Sequence, residues 1–415
     1  MSSPSHGGKL AILGGEPTHR GPWPAWPVHD EREREALLGV LESGKWWYGE
    51  RVREFEEEFA AFQDARFGIS CTSGTTALEL ALIGAGIGAG QEVIVPPYTF
   101  VATATAVLKA NAVPVFVDIE LDTLNLNADL IEAAITDKTA AIMPVHFAGL
   151  PADMDRILAI ARKHHLRVIE DAAHAWGSQW HGKGCGALGD LGGFSFQLSK
   201  NITAGEGGIV LTDDPELADT VRSLSNVGRG KDKPWYEHYL TGGNYRMTEF
   251  QAAILLAQLS RLEGQTERRS RNAAILNEGL ADIEGLRPLR EDPRATRRSY
   301  HLYGMRVLAE EFGASRDRFV EAIRAEGIPA GPGYPHPLYR NPLFQRKGDG
   351  PTYCPVSCPY YGREMDYTKV LCPNAERACQ EVVWLPQWAL LGTEDDMRQT
   401  VAAARKVRES VASLA

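Results

Sequence analysis

Three short stretches carry residue types that could act together on one small anionic ligand. The first, Cys71-Thr72-Ser73-Gly74-Thr75-Thr76-Ala77-Leu78, follows a short apolar piece and opens a helix. A Ser/Gly/Thr turn at a helix N-terminus offers free N–H groups and the positive end of the dipole, which together bind phosphate. An ordinary N-cap uses the same residues. The second, Val168-Ile169-Glu170-Asp171-Ala172-Ala173-His174, ends an apolar strand in acids. Open α/β sheets place ligands at that end of their strands. A carboxylate there can hold a cation or a protonated ring nitrogen, and His174 could stack on or hydrogen-bond the ligand. Alternation turns Glu170 to the opposite side. The third, Phe194-Ser195-Phe196-Gln197-Leu198-Ser199-Lys200-Asn201, ends a strand in a polar turn with one lysine, and a Gly-rich return follows. A lone loop lysine is ordinarily a solvated charge.

As a set the three stretches make chemical sense. Pyridoxal phosphate needs a phosphate anchor, a lysine for its Schiff base and an acid at its pyridine nitrogen. The Ser/Gly/Thr turn, with the Ser195 and Ser199 hydroxyls, could supply the first, Lys200 the second and Asp171 the third. The lysine must be neutral to attack or to move protons, so its pKa must fall from about 10.4 toward roughly 7–8.

These loops need a scaffold. From Gly68 to Asp214 apolar runs such as Glu92–Val95, Val113–Asp118, Ala140–His146 and Arg167–Asp171 alternate with helical segments such as Thr75–Ile83, Phe100–Ala110 and Met154–His164. Runs without strict alternation fit strands covered on both faces. The expected fold is α/β, an open and mainly parallel mixed sheet between helices. The expected domains are an N-terminal arm at 1–30, a large domain at 31–265 and a smaller C-terminal α+β domain at 266–415. A long helix over Thr248–Ser270 connects the two larger parts, and the loop-rich Pro337–Glu381 is a candidate lid.

Bulk properties exclude several other roles. The 415 residues carry a net charge of −10 with no dense basic tract, so nucleic-acid binding lacks its electrostatic footprint. No window reaches the roughly 18 apolar residues of a membrane span, and the first residues lack a signal-peptide core. A cytoplasmic location is expected. The six cysteines read as reduced thiols, and their spacing defines no metal site.

At this point a resemblance becomes plain. The motifs TSGTTAL, VPPYTFVATA, EDAAHAWG, FSFQLSKNITAGEGG and GGNYRMTEFQAA stand in the order and spacing of the DegT/DnrJ/EryC1/StrS family of pyridoxal-phosphate-dependent aminotransferases. The chain resembles that fold-type I family from about Leu10 onward. The resemblance implies that Gly74 and Thr75, with Ser195, bind the phosphate. It implies that Phe100 stacks on the ring, Asp171 pairs with its nitrogen, His174 lies near O3′ and Lys200 carries the Schiff base. Asn244 would reach the phosphate of a neighbouring subunit, which implies a homodimer with active sites at the interface. Some relatives replace the lysine with His and dehydrate sugars; Lys200 implies transamination.

SFQxSK and YCPVSCPYYG look like the glutamine:scyllo-inosose aminotransferase branch. The implied reaction moves an amino group from L-glutamine or L-glutamate to a ketone on a cyclitol or sugar. The alternatives are an aminohydroxybenzoate synthase that dehydrates and aromatises its ketone, since SFQ occurs there too, and a non-catalytic regulator of the same fold. His336 stands where relatives place a substrate-contacting His, within Tyr334-Pro335-His336, and Tyr334 is a further substrate candidate. Trp47, of the unexpected pair Trp46-Trp47, would alter acceptor specificity if it lined the pocket. Arg229 and Tyr339 are candidates for substrate hydroxyls or a donor carboxylate.

Overall fold

The computed structural model describes residues 8–345 and 354–414. Its centre is a seven-stranded sheet in the order β1-β9-β8-β5-β4-β2-β3. The strands are β1 Phe67–Cys71, β2 Glu92–Val95, β3 Val113–Phe116, β4 Thr139–Ile142, β5 Arg167–Asp171, β8 Leu191–Ser195 and β9 Gly208–Thr212, with β6 Gln179–Trp180 and β7 Lys183–Gly184 forming a separate hairpin. β3, β2, β4, β5 and β8 pair in parallel, while β9 runs antiparallel to both β8 and β1. The sheet is therefore mixed and mainly parallel, as its apolar runs predict. β8 and β9 are buried at every position. Two glycines let the helix Gly74–Gly84 sit directly on β8: a Cβ on Gly193 would come within 2.8 Å of Leu78, and one on Gly74 within 2.5 Å of the Ser195 Cβ.

A second sheet, all antiparallel, has the order β10-β11-β13-β12: β10 Leu286–Pro288, β11 Leu302–Val307, β12 Gly331–Pro332 and β13 Val382–Pro386. Its core joins Tyr303, Met305 and Val383 to Phe319, Ile323 and Val407 from flanking helices. The connector is longer than the sequence pattern suggests. It runs unbroken over Glu249–Ala281, opened by a Thr248/Gln251 capping box, and passes through position 265 without a break. The Pro337–Glu381 region contains the helices Pro342–Gln345 and Pro373–Glu381; residues 346–353 of this candidate lid lie outside the described residues.

The N-terminal stretch is docked rather than loosely extended. The buried Glu326 carboxylate accepts from the Ala11 N–H at 2.8 Å, the Thr18 N–H at 2.9 Å and the Lys406 ammonium at 2.8 Å. Further along, the Trp26 indole donates to the Leu198 carbonyl at 2.7 Å.

Candidate active site

The carboxyl ends of the parallel strands open into a cavity of about 470 Å³. Each wall comes from a different loop, and the second sheet closes one side through Leu302 and Trp384.

The floor begins where β1 ends. Ser73 is extended and accepts from the Thr76 N–H at 3.2 Å, so it caps the helix that Gly74 begins. The N–H groups of Gly74 and Thr75 have no preceding helical carbonyl to bond. Both residues line the cavity, as does Ser195. The close approach of Gly74 to Ser195 leaves no room for a side chain there. A Cβ on Gly208 would also lie 2.3 Å from the Ser73 carbonyl oxygen. Backbone packed this tightly forms a narrow cradle beside Ser195.

Asp171 ends β5 and is only 5% exposed. It accepts from the Thr103 hydroxyl at 2.7 Å and from the Ala173 N–H at 3.2 Å. Burial raises its pKa above the ordinary carboxylate value; these donors and the positive charge of Lys200 oppose that rise. His174 accepts at Nδ1 from the Ala148 N–H at 3.3 Å. Its proton therefore sits on Nε2. Burial, helped by Lys200, holds its pKa well below the usual value, so the ring is neutral.

Lys200 follows β8 on a turn closed by its own N–H to the Gln197 carbonyl at 2.9 Å. The Gln197 side chain accepts from the Ser199 N–H at 2.9 Å and hydroxyl at 2.8 Å. The ammonium lies 5.8 Å from the centre of the buried Trp176 ring. Desolvation pulls its pKa down to about 8, against the attraction of Asp171. That is the tuning a lysine needs to exchange protons near neutrality.

The cavity thus gathers Gly74, Thr75, Phe100, Asp171, His174, Ser195 and Lys200, together with Tyr334. His336 is half-buried and is not among the lining residues. Trp47 is also absent from the lining: it is 59% exposed and lies under the Arg246 guanidinium at 5.4 Å. Asn244 is exposed, away from its own chain's cavity, where its backbone bridges Asn226. Tyr339 is buried, donating to Glu376 at 2.6 Å and accepting from the Cys372 N–H at 3.1 Å, and it lies outside the lining. Glu170 does point away: it accepts from His146 and from the Gly186, Leu188 and Gly189 N–H groups, each at 2.7 Å. Glu170, His146 and Cys185 lie close enough to share a metal ion. However, Glu170 is saturated with donors and His146 Nδ1 already accepts from the Ala152 N–H at 3.1 Å.

Sequence reasoning missed Thr103 and His301. The Thr99/Thr103 spacing of four at the start of the helix Ala102–Lys109 was the available signal for the first. His301 comes from the second sheet's approach, and no local pattern marks it.

A mixed sheet of this order, with lysine, acid and glycine turn meeting at its carboxyl edge, defines a fold-type I pyridoxal-phosphate-dependent transferase. The DegT/DnrJ/EryC1/StrS aminotransferase family matches residues 27–365. The chain is 39% identical to a putative L-glutamine:3-amino-2,3-dideoxy-scyllo-inosose aminotransferase of Micromonospora echinospora, over 98% of each chain. It is also 39% identical to the L-glutamine:2-deoxy-scyllo-inosose aminotransferase of Streptomyces paromomycinus, over 96% of this chain and 97% of that one. Among solved structures, 3-amino-5-hydroxybenzoic acid synthase superimposes with a TM-score of 0.83 at 37% identity, covering 94% of this chain and 99% of that one. The chain belongs to the DegT/DnrJ/EryC1/StrS aminotransferase family, and it is an enzyme. No helix among the described residues is long and apolar enough to cross a membrane.

Proposed function

We propose that this enzyme transfers an amino group from L-glutamine or L-glutamate to a ring ketone of the scyllo-inosose type, using pyridoxal phosphate. The observation that carries the chemistry is the meeting of Lys200, Asp171, Ser195 and the Gly74-Thr75 turn in the lining of one cavity. The cyclitol acceptor is supported by the Micromonospora echinospora and Streptomyces paromomycinus relatives, whose likeness runs nearly end to end.

The residues present fit the cofactor. Gly74, Thr75 and Ser195 would hold its phosphate, Asp171 its ring nitrogen and Lys200 its aldehyde carbon, with Phe100 and His174 beside the ring. When bound, the cofactor supplies an electron-withdrawing ring that weakens the donor's Cα–H bond. Asp171, given a cation to face, keeps its carboxylate ionised. Lys200, neutral, takes the proton from the donor's α-carbon and returns a proton to the acceptor's ring carbon in the second half-reaction. Tyr334, which also lines the cavity, would face the substrate. Asn244, exposed beside the start of the long helix, would reach the cavity of a second copy in a homodimer, and the enzyme would work in the cytoplasm.

The second reading is an aminohydroxybenzoate synthase activity, favoured by the superposition on that synthase. One experiment separates the two. L-Glutamine, L-glutamate and L-alanine are added separately to the cofactor-loaded protein, and the visible spectrum is recorded. Glutamine or glutamate should bleach the cofactor band, and a keto-inositol should restore it. Bleaching by Lys200→Ala at the parent rate refutes the mechanism. Formation of an aromatic product from a cyclic amino ketone, with no response to keto-inositols, selects the synthase reading. Failure to take up the cofactor refutes both readings.

A further inference from the structure

The Arg298–His301 segment leads from the loop after β10 into β11 and lies against both functional loops of the large sheet. Ser299 is fully buried. Its hydroxyl donates to the His174 carbonyl at 2.6 Å, and its N–H donates to the Ser178 hydroxyl at 3.0 Å. Its carbonyl accepts from the Asn201 side-chain amide at 2.9 Å. That bond fixes which end of the Asn201 amide is oxygen. The oxygen then accepts from His301 Nδ1 at 3.1 Å, so His301 carries its proton on Nδ1. The His301 and His174 rings lie 4.2 Å apart, and both line the cavity with Lys200.

Between these two residues Tyr300 has a φ of +47°, a conformation costly for an aromatic residue. Its neighbours hold it there. The Tyr300 hydroxyl donates to Glu291 at 3.0 Å, and the Arg298 guanidinium both pairs with Glu291 at 3.0 Å and lies over the Tyr300 ring at 4.4 Å. A strained residue clamped in this way turns the chain so that Ser299 reaches the His174 loop and His301 reaches the Lys200 loop.

We propose that His301 is a positioning residue for Lys200: its Nδ1–H bond to Asn201 holds the lysine-bearing loop where the amine can reach the reacting carbon. The proposal rests on reading Lys200 as the reacting amine. His301 acts through the residue next to that lysine, so the second sheet registers the amine although it contributes no group to the reaction.

The test compares His301→Leu, His301→Asn and His301→Gln in the full-length protein, with Lys200→Ala as reference. Asparagine places an amide N–H near the position of Nδ1; glutamine places it one bond further out. His301→Leu should lower kcat by about ten- to a hundredfold, the usual penalty for a misplaced reacting group, with donor KM within about twofold. His301→Asn should recover most of that loss, and His301→Gln should not. A second readout needs no turnover: pH-dependent reductive methylation of Lys200 in cofactor-free protein, followed by mass spectrometry. The midpoint should lie near 8 for the parent and His301→Asn. It should move upward for His301→Leu as the loop loosens and water reaches the amine. Equal rescue by Asn and Gln, a rise in KM with kcat intact, or an unmoved methylation midpoint for His301→Leu overturns the proposal. If His301→Leu fails to fold, the Asn–Gln comparison still decides. Parent-like turnover by Lys200→Ala would instead refute the underlying reading of the lysine.

Discussion

Thr103→Val isolates the acid end of the cavity. Valine keeps the branched shape of threonine and removes the hydroxyl that donates to Asp171 at 2.7 Å. A hydrogen bond to a charged acceptor contributes roughly 1.5–3 kcal/mol. Because the Thr103 proton is committed to Asp171, Thr99 must donate to Thr103 across 3.0 Å, and valine strands that hydroxyl as well. Asp171 keeps the longer bond from the Ala173 N–H at 3.2 Å. Affinity for pyridoxal phosphate, whose protonated nitrogen would face this carboxylate, should therefore fall by about ten- to a hundredfold.

The same substitution has a pH signature. The folded pKa of Asp171 lies above its ordinary 3.8, so between that value and the folded one the folded chain holds a proton that the unfolded chain has released. Stability of the cofactor-free protein falls as pH rises through that window. Thr103→Val raises the folded pKa further and extends the fall to higher pH. Absorbance titration of cofactor into stripped protein, beside urea unfolding across pH, measures both effects. Thr103→Ser, which keeps the hydroxyl, should bind much more tightly than Thr103→Val. Cofactor affinity of Thr103→Val within about twofold of the parent, or Ser no better than Val, would refute the claim that this bond favours the charged form of Asp171.

Two further predictions concern the other walls. Gly74→Ala forces a methyl to within 2.5 Å of the Ser195 Cβ and should cost about 1–3 kcal/mol of stability by overpacking. It should also weaken inorganic phosphate binding in the cradle, measured by calorimetry. Lys200→Met removes a charge that the cavity disfavours. The lysine's folded pKa of about 8 lies below its ordinary 10.5, so at neutral pH both states are protonated and the folded chain bears the desolvation. The variant should be more stable than the cofactor-free parent at pH 7 by about 1–3 kcal/mol, discounted for the lost attraction to Asp171, with the gain fading as pH rises from about 8 to 10.5.

Much of this site was legible in the sequence because its residues sit where secondary structure changes. Asp171 ends an apolar run, Ser73-Gly74 opens a helix, and Lys200 follows a strand through a polar turn. Each change of periodicity marks a sheet edge, where a parallel sheet exposes its ligands. Glu170 was also placed correctly on the far side, because strand alternation is local geometry. What escaped the sequence depends on long-range packing. His301 meets Asn201 across a hundred positions, and nothing near either residue encodes the approach. Trp47 shows the same limit: a large aromatic residue suggests a pocket, but its place under Arg246, outside the lining of this chain's cavity, is set by a residue far along the chain. The helix Pro373–Glu381 hid inside a Pro- and Cys-rich stretch because its start is set by Pro373 at the first turn, and proline reads as loop until its neighbours are placed.

The docking of the N-terminal stretch has a consequence for biosynthesis. Ala11 and Thr18 leave the ribosome early, yet their carboxylate partner is residue 326 and its ammonium counter-ion is residue 406. During synthesis this segment waits for a carboxylate made 315 positions after Ala11 and 308 after Thr18. The same segment carries Trp26, whose indole pins the Leu198 carbonyl two residues before the lysine. A nascent chain can thus complete its large sheet while the segment before Trp26 still lacks its Glu326 anchor. A chain stalled before position 326 would carry the lysine loop while the segment leading to Trp26 lacks its carboxylate anchor.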